Sequence, residues 1–149
     1  MDVIEHARML AAMPMFASLD ESQLKLLAFT SEVFEYSEGE YLFHRNDLSD
    51  AVFVIMRGRA RIEDDTTGTT ILIAEKTEGE VVGEMGVLRA ERRSATVLVT
   101  EATEVLRIPG DRYLDLVSSN PGMALYVMRD LSDKLASTSA DLARVKAGS

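Results

Sequence analysis

Cysteine is absent from all 149 residues. A disulfide scaffold, a thiolate metal centre and a cysteine nucleophile are therefore excluded. Histidine is nearly absent too: only His6 and His44 carry imidazoles. A multi-histidine metal site is ruled out, and a cupin-type oxygenase, which needs inward histidines and carboxylates around its metal, has nothing to build on. Basic residues are outnumbered, 16 Lys and Arg against 25 Asp and Glu, for a net charge of −9. Such a chain repels nucleic acid and anionic membranes unless its cations cluster. No apolar run approaches the ~20 residues of a membrane span. Asp2 and Glu5 stand where a secretory signal needs positive charge, and Pro14 interrupts the short apolar stretch that follows. A soluble cytoplasmic protein is the expectation.

What is present reads as one domain over 1–149, without linker or internal repeat, in three zones. Residues 1–30 read as helical. Ser18 to Glu21 has the form of a capping box, with Leu24 and Leu27 on one face of the helix it opens, and Pro14 ends an earlier short helix. Residues 31–109 read as short strands over 40–44, 51–56, 60–62, 70–74, 95–100 and 104–108, separated by glycine and acidic turns. Short strands with regular turns point to a sandwich, jelly roll or small barrel. Residues 110–149 read as helical again, the long helix starting at Asn120-Pro121. Met128, Leu131, Leu135, Thr138, Leu142 and Val145 recur every 3.5 residues, the spacing of a coiled-coil seam. The pattern favours a two-fold homodimer; the alternative is a helix lying on its own domain.

The stretch 82–97 breaks the strand pattern. Gly83 and Gly86 permit close backbone approach, and 85–90 can form one or two helical turns whose leading N–H groups attract an anion. Strand alternation then separates two neighbouring arginines. Ala95, Val97 and Val99 form the apolar face, which Arg93 shares and Arg92 does not. A guanidinium turned into a β-roll needs a partner, and a phosphate satisfies it bidentately. Glu84 would repel that phosphate, yet it suits the hydroxyls of a ribose. Together these groups describe a nucleotide monophosphate pocket. The competing reading is a Glu84–Arg93 ion pair that merely closes a loop.

Gly83-Glu84-Met85-Gly86 followed by Arg93-Ser94-Ala95 resembles the phosphate-binding cassette of the cyclic-nucleotide-binding domain family. The likeness extends over nearly the whole chain. Gly39 to Phe43, Asn46-Asp47, Asp50, Val54 and Gly58 look like the family's β-roll signature, and Asn120-Pro121 through Ser139 looks like the long helix of its catabolite activator branch. The resemblance implies a mainly β fold with flanking helices: an eight-stranded jelly-roll β-roll, N-terminal helices and a long C-terminal helix. It implies a cyclic nucleotide, cAMP rather than cGMP, as ligand, with no other cofactor. By position, Glu84 would take the ribose 2′-hydroxyl. Arg93, Ser94 and backbone N–H groups near Gly83 and Ala95 would take the phosphate. Val82 and Met85 would line the ribose and base. Thr138 and Ser139 would meet the base, one of them across a dimer. Asn46 stands where the family usually has glycine, Arg92 where many members have proline, and Val82 where an aromatic is frequent.

The expectation is thus a non-enzymatic receptor that rearranges its C-terminal helix and passes the signal to an unidentified downstream partner. No direct contact with nucleic acid or membrane is expected, since a DNA-reading domain needs further helices with a basic face. The alternatives are a dimerisation module of the same fold that no longer binds ligand, and a regulator fragment without its DNA-binding domain.

Overall fold

The computed structural model describes residues 2–147. Eight strands form two four-stranded antiparallel sheets, with five helices around them. The first sheet runs in the order β1 (Glu32–Tyr36), β8 (Thr103–Pro109), β3 (Ala51–Arg57), β6 (Val81–Val82). The second runs β2 (Tyr41–Phe43), β7 (Thr96–Val99), β4 (Arg59–Asp64), β5 (Ile71–Thr77). This is the expected β-roll. The six strands read from the sequence are all there, with shifted ends, and β1 and β6 are additions.

Strand β3 shows why the sheets stack as they do. Ala51 to Met56 are all buried, because the strand has a core on each side. Val52, Val54 and Met56 face the helices, while Ala51, Phe53 and Ile55 face the roll interior. Period-two alternation delivers one apolar set to each core. The helix-side core is completed by α1 (Val3–Ala11), the 3-10 turn Pro14–Phe16, α2 (Glu21–Thr30) and the start of the C-terminal helices. His6 on α1 is buried there, 3.4 Å from the buried Glu104 of β8, whose other oxygen lies 3.6 Å from Arg57.

Helix α2 corrects the sequence reading at its start. The capping box is made by Asp20 and Gln23, not by Ser18 and Glu21: Gln23 N–H donates to Asp20 Oδ1 at 2.8 Å, and Asp20 N–H to Gln23 Oε1 at 2.9 Å. Ser18 instead donates to Asn120 Oδ1 at 2.9 Å, the same oxygen that caps the Met123 N–H of the long helix. Leu24 and Leu27 are buried as expected, and Leu26 and Phe29 face outward.

After β8 come α4 (Gly110–Ser119) and α5 (Pro121–Ala147), α3 being the short cassette helix Glu84–Arg89. Helix α5 is anchored by buried Met123 and Val127 and then leaves the core. Every residue from Ser132 to Lys146 is exposed, Leu135 at 68%. The far half of α5 therefore does not lie along its own domain. No helix among the described residues is long and apolar enough to cross a membrane.

Candidate functional site

Between β6 and β7 the chain leaves the sheets and forms α3, capped at its start by Gly83 in the left-handed region (φ 87°). A Cβ at position 83 would lie 2.6 Å from Arg93 Nη1 and 3.2 Å from Phe43 Cε2, so glycine here makes room for the arginine. Opposite, Asn46 takes φ 75°, a conformation asparagine tolerates in place of glycine. Its N–H donates to the Arg93 carbonyl at 2.8 Å, and Arg93 N–H donates to the Asp47 carbonyl at 2.9 Å. The 44–50 turn thus pins the backbone that carries the arginine.

The Arg93 side chain points into the roll and is 3% exposed, whereas Arg92 is exposed. Its Nη1 donates to the Gly83 carbonyl at 2.7 Å and its Nη2 to the Ala51 carbonyl at 2.6 Å. The guanidinium carbon sits 4.1 Å from the centre of the Phe43 ring, a cation–π contact. Nε is buried with no hydrogen-bond partner. Among the described residues Arg93 has no ion-pair partner, so the Glu84–Arg93 loop-closing pair is not formed. Burial lowers its pKa, and the more distant Asp50, Asp47 and Glu84 carboxylates oppose that shift. The group remains cationic at neutral pH, a buried charge whose direct contacts are carbonyl dipoles and a ring.

Glu84 opens α3 and is itself buried. Its Oε1 accepts from Lys134 Nζ of α5 at 3.0 Å, and the same ammonium lies 3.0 Å from Asp130 Oδ2. Burial pulls the Lys134 pKa down, but Glu84 and Asp130 outweigh it, and the net shift is upward. A raised lysine pKa keeps the ammonium charged throughout the neutral range, and its side of the pairing is lost as pH rises past the ordinary lysine range. Lys134 is a site residue that the sequence reading missed. Nothing local marks it, because its partner lies 50 positions away.

A cavity of about 310 Å³ lies between these groups. Val82, Gly83, Glu84, Met85, Arg93, Ser94 and Ala95 all line it, with Lys134 at its α5 side and Ile62 and Ile73 from the second sheet. Seven of the nine candidate residues are therefore brought to one place. Thr138 and Ser139 are not: both are exposed, neither lines the cavity, and Thr138 donates to the Lys134 carbonyl at 2.9 Å. Chemically, the cavity offers an under-coordinated guanidinium, a carboxylate–ammonium pair and an apolar wall. That set matches an anion joined to a hydroxyl-bearing body.

Three comparisons agree with this geometry. A 108-residue stretch is 29% identical to lysophospholipase nte1 of Aspergillus oryzae, covering 72% of this chain and 7% of that protein. The chain thus spans a small part of the curated relatives it matches. Among solved structures, the catabolite activator protein of Thermus thermophilus superposes with a TM-score of 0.80 at 26% identity, over 89% of this chain and 63% of that one. The regulatory domain of Toxoplasma gondii PKA, crystallised with cAMP, superposes with a TM-score of 0.77 at 16% identity, over 87% of this chain and 50% of that one. The cyclic nucleotide-binding domain family matches residues 33–120, from β1 through the roll and the cassette to the end of α4. With the β-roll, the glycine-opened α3 and the inward arginine in place, this chain belongs to the cyclic nucleotide-binding domain family.

Proposed function

We propose that this protein is a cyclic-nucleotide receptor, with cAMP preferred over cGMP, that converts ligand binding into movement of α5. The observation that carries the reading is Arg93: a buried guanidinium with an unpartnered Nε and no carboxylate in contact among the described residues, on the wall of a cavity that also holds Glu84. An unneutralised buried cation is costly, and an entering phosphodiester relieves that cost. Ser94 and the backbone at Gly83 and Ala95 flank the same wall. Glu84 then serves the sugar 2′-hydroxyl, and Val82 and Met85 the sugar and base.

Coupling to α5 follows from Lys134. Glu84 is held by that ammonium, so a sugar hydroxyl binding the same carboxylate competes with the helix or recruits it. Ligand shifts the helix only if it binds the two helix positions with different affinity. A contact shared by ligand and helix supplies that difference. Thr138 and Ser139, one turn beyond Lys134, come within reach of the base only if α5 moves or a second copy presents its own.

The test is isothermal titration calorimetry of the full chain with cAMP and with cGMP. Saturable binding of one nucleotide per chain is expected, tighter for cAMP. No heat with either nucleotide would leave the fold as a dimerisation module and reject the receptor reading.

The exposed seam on α5 supports a homodimer. Met128, Leu135, Leu142 and Val145 are each more than half exposed, along a helix half that touches little of its own domain. Light scattering should give twice the chain mass. Leu135→Asp should shift the particle to the monomer mass while leaving the circular dichroism of the roll unchanged. A wild-type monomer at micromolar concentration overturns the dimer.

A further inference from the structure

A second, smaller cavity of about 210 Å³ adjoins the nucleotide cavity. Met13 and Met15 beside the 3-10 turn and Tyr126 and Asp130 of α5 line it. Glu84 and Lys134 line both cavities, so their pair stands where the two meet.

Both members of the pair are only partly satisfied. Glu84 Oε1 accepts from Lys134 Nζ at 3.0 Å, while Oε2 accepts no hydrogen bond among the described residues. An ammonium carries three N–H donors. Lys134 directs one at Glu84 and lies 3.0 Å from Asp130 Oδ2, which leaves at least one N–H without an acceptor among the described residues. The neighbouring charges are engaged elsewhere. Lys76 lies 3.6 Å from Glu80 Oε2, and Glu80 Oε1 accepts from the Thr77 N–H at 3.1 Å and the Thr77 hydroxyl at 3.2 Å. The Arg93 terminal nitrogens hold the Gly83 and Ala51 carbonyls.

A carboxylate oxygen can only accept, and an ammonium N–H can only donate. A hydroxyl does both. One hydroxyl placed between them satisfies the open oxygen and the open N–H together, whereas a methylene at the same place satisfies neither. Sites built to hydrogen-bond a hydroxyl reject the analogue that lacks it, because their polar groups are then left buried and unpaired. We infer that Lys134 is a specificity-determining residue of the nucleotide cavity: Glu84 accepts from the sugar 2′-hydroxyl while Lys134 donates to the same oxygen, so that the pair selects ribose over 2′-deoxyribose. This inference rests on the receptor reading above. It adds the second half of the sugar contact and fixes the sense of the coupling. Lys134 belongs to α5, with Asp130 one turn earlier on the same helix. A hydroxyl held from both sides recruits the helix instead of displacing it.

The experiment is calorimetric titration of the full chain with cAMP and with 2′-deoxy-cAMP, on the wild type and on Lys134→Met. Methionine keeps an unbranched apolar stem and removes both charge and donor. The wild type should bind cAMP the more tightly. Lys134→Met should weaken cAMP by about tenfold, the scale of a hydrogen bond to a charged group, and weaken 2′-deoxy-cAMP far less, so the ratio between the two ligands shrinks. That ratio is taken within one protein, so any loss of folded fraction cancels. A lysine that merely tethers α5 or attracts the phosphate would weaken both ligands equally. An equal loss overturns the inference, as does a ratio that grows in the variant, the result expected if Lys134 competes with the sugar. In either case cAMP binding by the wild type leaves the receptor reading intact. If the wild type binds neither nucleotide, both fall together.

Discussion

Replacing Arg93 by alanine is expected to weaken cAMP binding roughly 30- to 4,000-fold in calorimetry. The range follows from about 2–5 kcal/mol for truncating one member of a buried charge pair, at ~1.4 kcal/mol per tenfold. The effect is large because nothing nearby replaces the group. The other cations lining the nucleotide cavity are already paired, Lys134 with Glu84 and Lys76 with Glu80, and Arg92 is exposed. The fold should tolerate the change better than binding does. Alanine leaves the Gly83 and Ala51 carbonyls without their donors, but it also removes a buried charge that no carboxylate touches. Those two terms oppose each other, so a melting curve close to wild type should accompany the lost affinity. Arg93→Lys is the informative partner. It keeps the charge, yet one ammonium cannot span two carbonyls and a phosphate as the guanidinium fork does, and it should bind nearly as poorly as alanine. An isotherm unchanged by Arg93→Ala would remove the physical basis of the nucleotide site.

The second large effect is expected in stability. Gly58→Ala should cost about 2–6 kcal/mol, combining ~1–3 for a non-glycine residue held at an unfavourable positive φ and a similar sum for overpacking. Gly58 turns the chain from β3 into β4, that is, from one sheet to the other, at φ 106°. An added Cβ would lie 2.6 Å from Thr103 Cα and 2.7 Å from the Ala102 carbonyl oxygen, and closer still to Thr103 Oγ1. Two of these are backbone atoms and cannot rotate away. Thr103 Oγ1 also accepts from Arg59 N–H at 3.1 Å and donates to the Glu101 carbonyl at 2.8 Å, so displacing it breaks the turn's own bonds. At this chain length a fall of roughly 5–20 °C in Tm follows. Gly39→Ala is the control: its φ is also positive, at 92°, but nothing lies within 4 Å of the added Cβ. The difference between the two melting temperatures isolates the clash. Equal shifts would show that the close approach of Thr103 carries no weight.

Several features were legible because they rest on local rules. Alternation put Arg93 on the inward face with Val97 and Val99, and all three are buried. The glycines at 83 and 86 marked where the strands give way to α3. Elsewhere the local signal was ambiguous or silent. The sequence pattern places the cap of α2 at Ser18, whereas Asp20 makes it. The Ser18 hydroxyl is instead claimed by Asn120, 102 positions away. Strand β1 went unread because it is a five-residue edge strand in which the adjacent Val33 and Phe34 blur the alternation. Strand β6 has two residues, too few for any periodicity.

The amino-acid order by itself determined the β-roll between helical ends, the family motif and the inward turn of position 93, because each depends on residues within a few positions of one another. Only the tertiary structure decided that Lys134 closes on Glu84 and that Thr138 and Ser139 stand away from the cavity. Those contacts join segments tens of residues apart. They arise from how two sheets and a long helix stack, which no local period encodes.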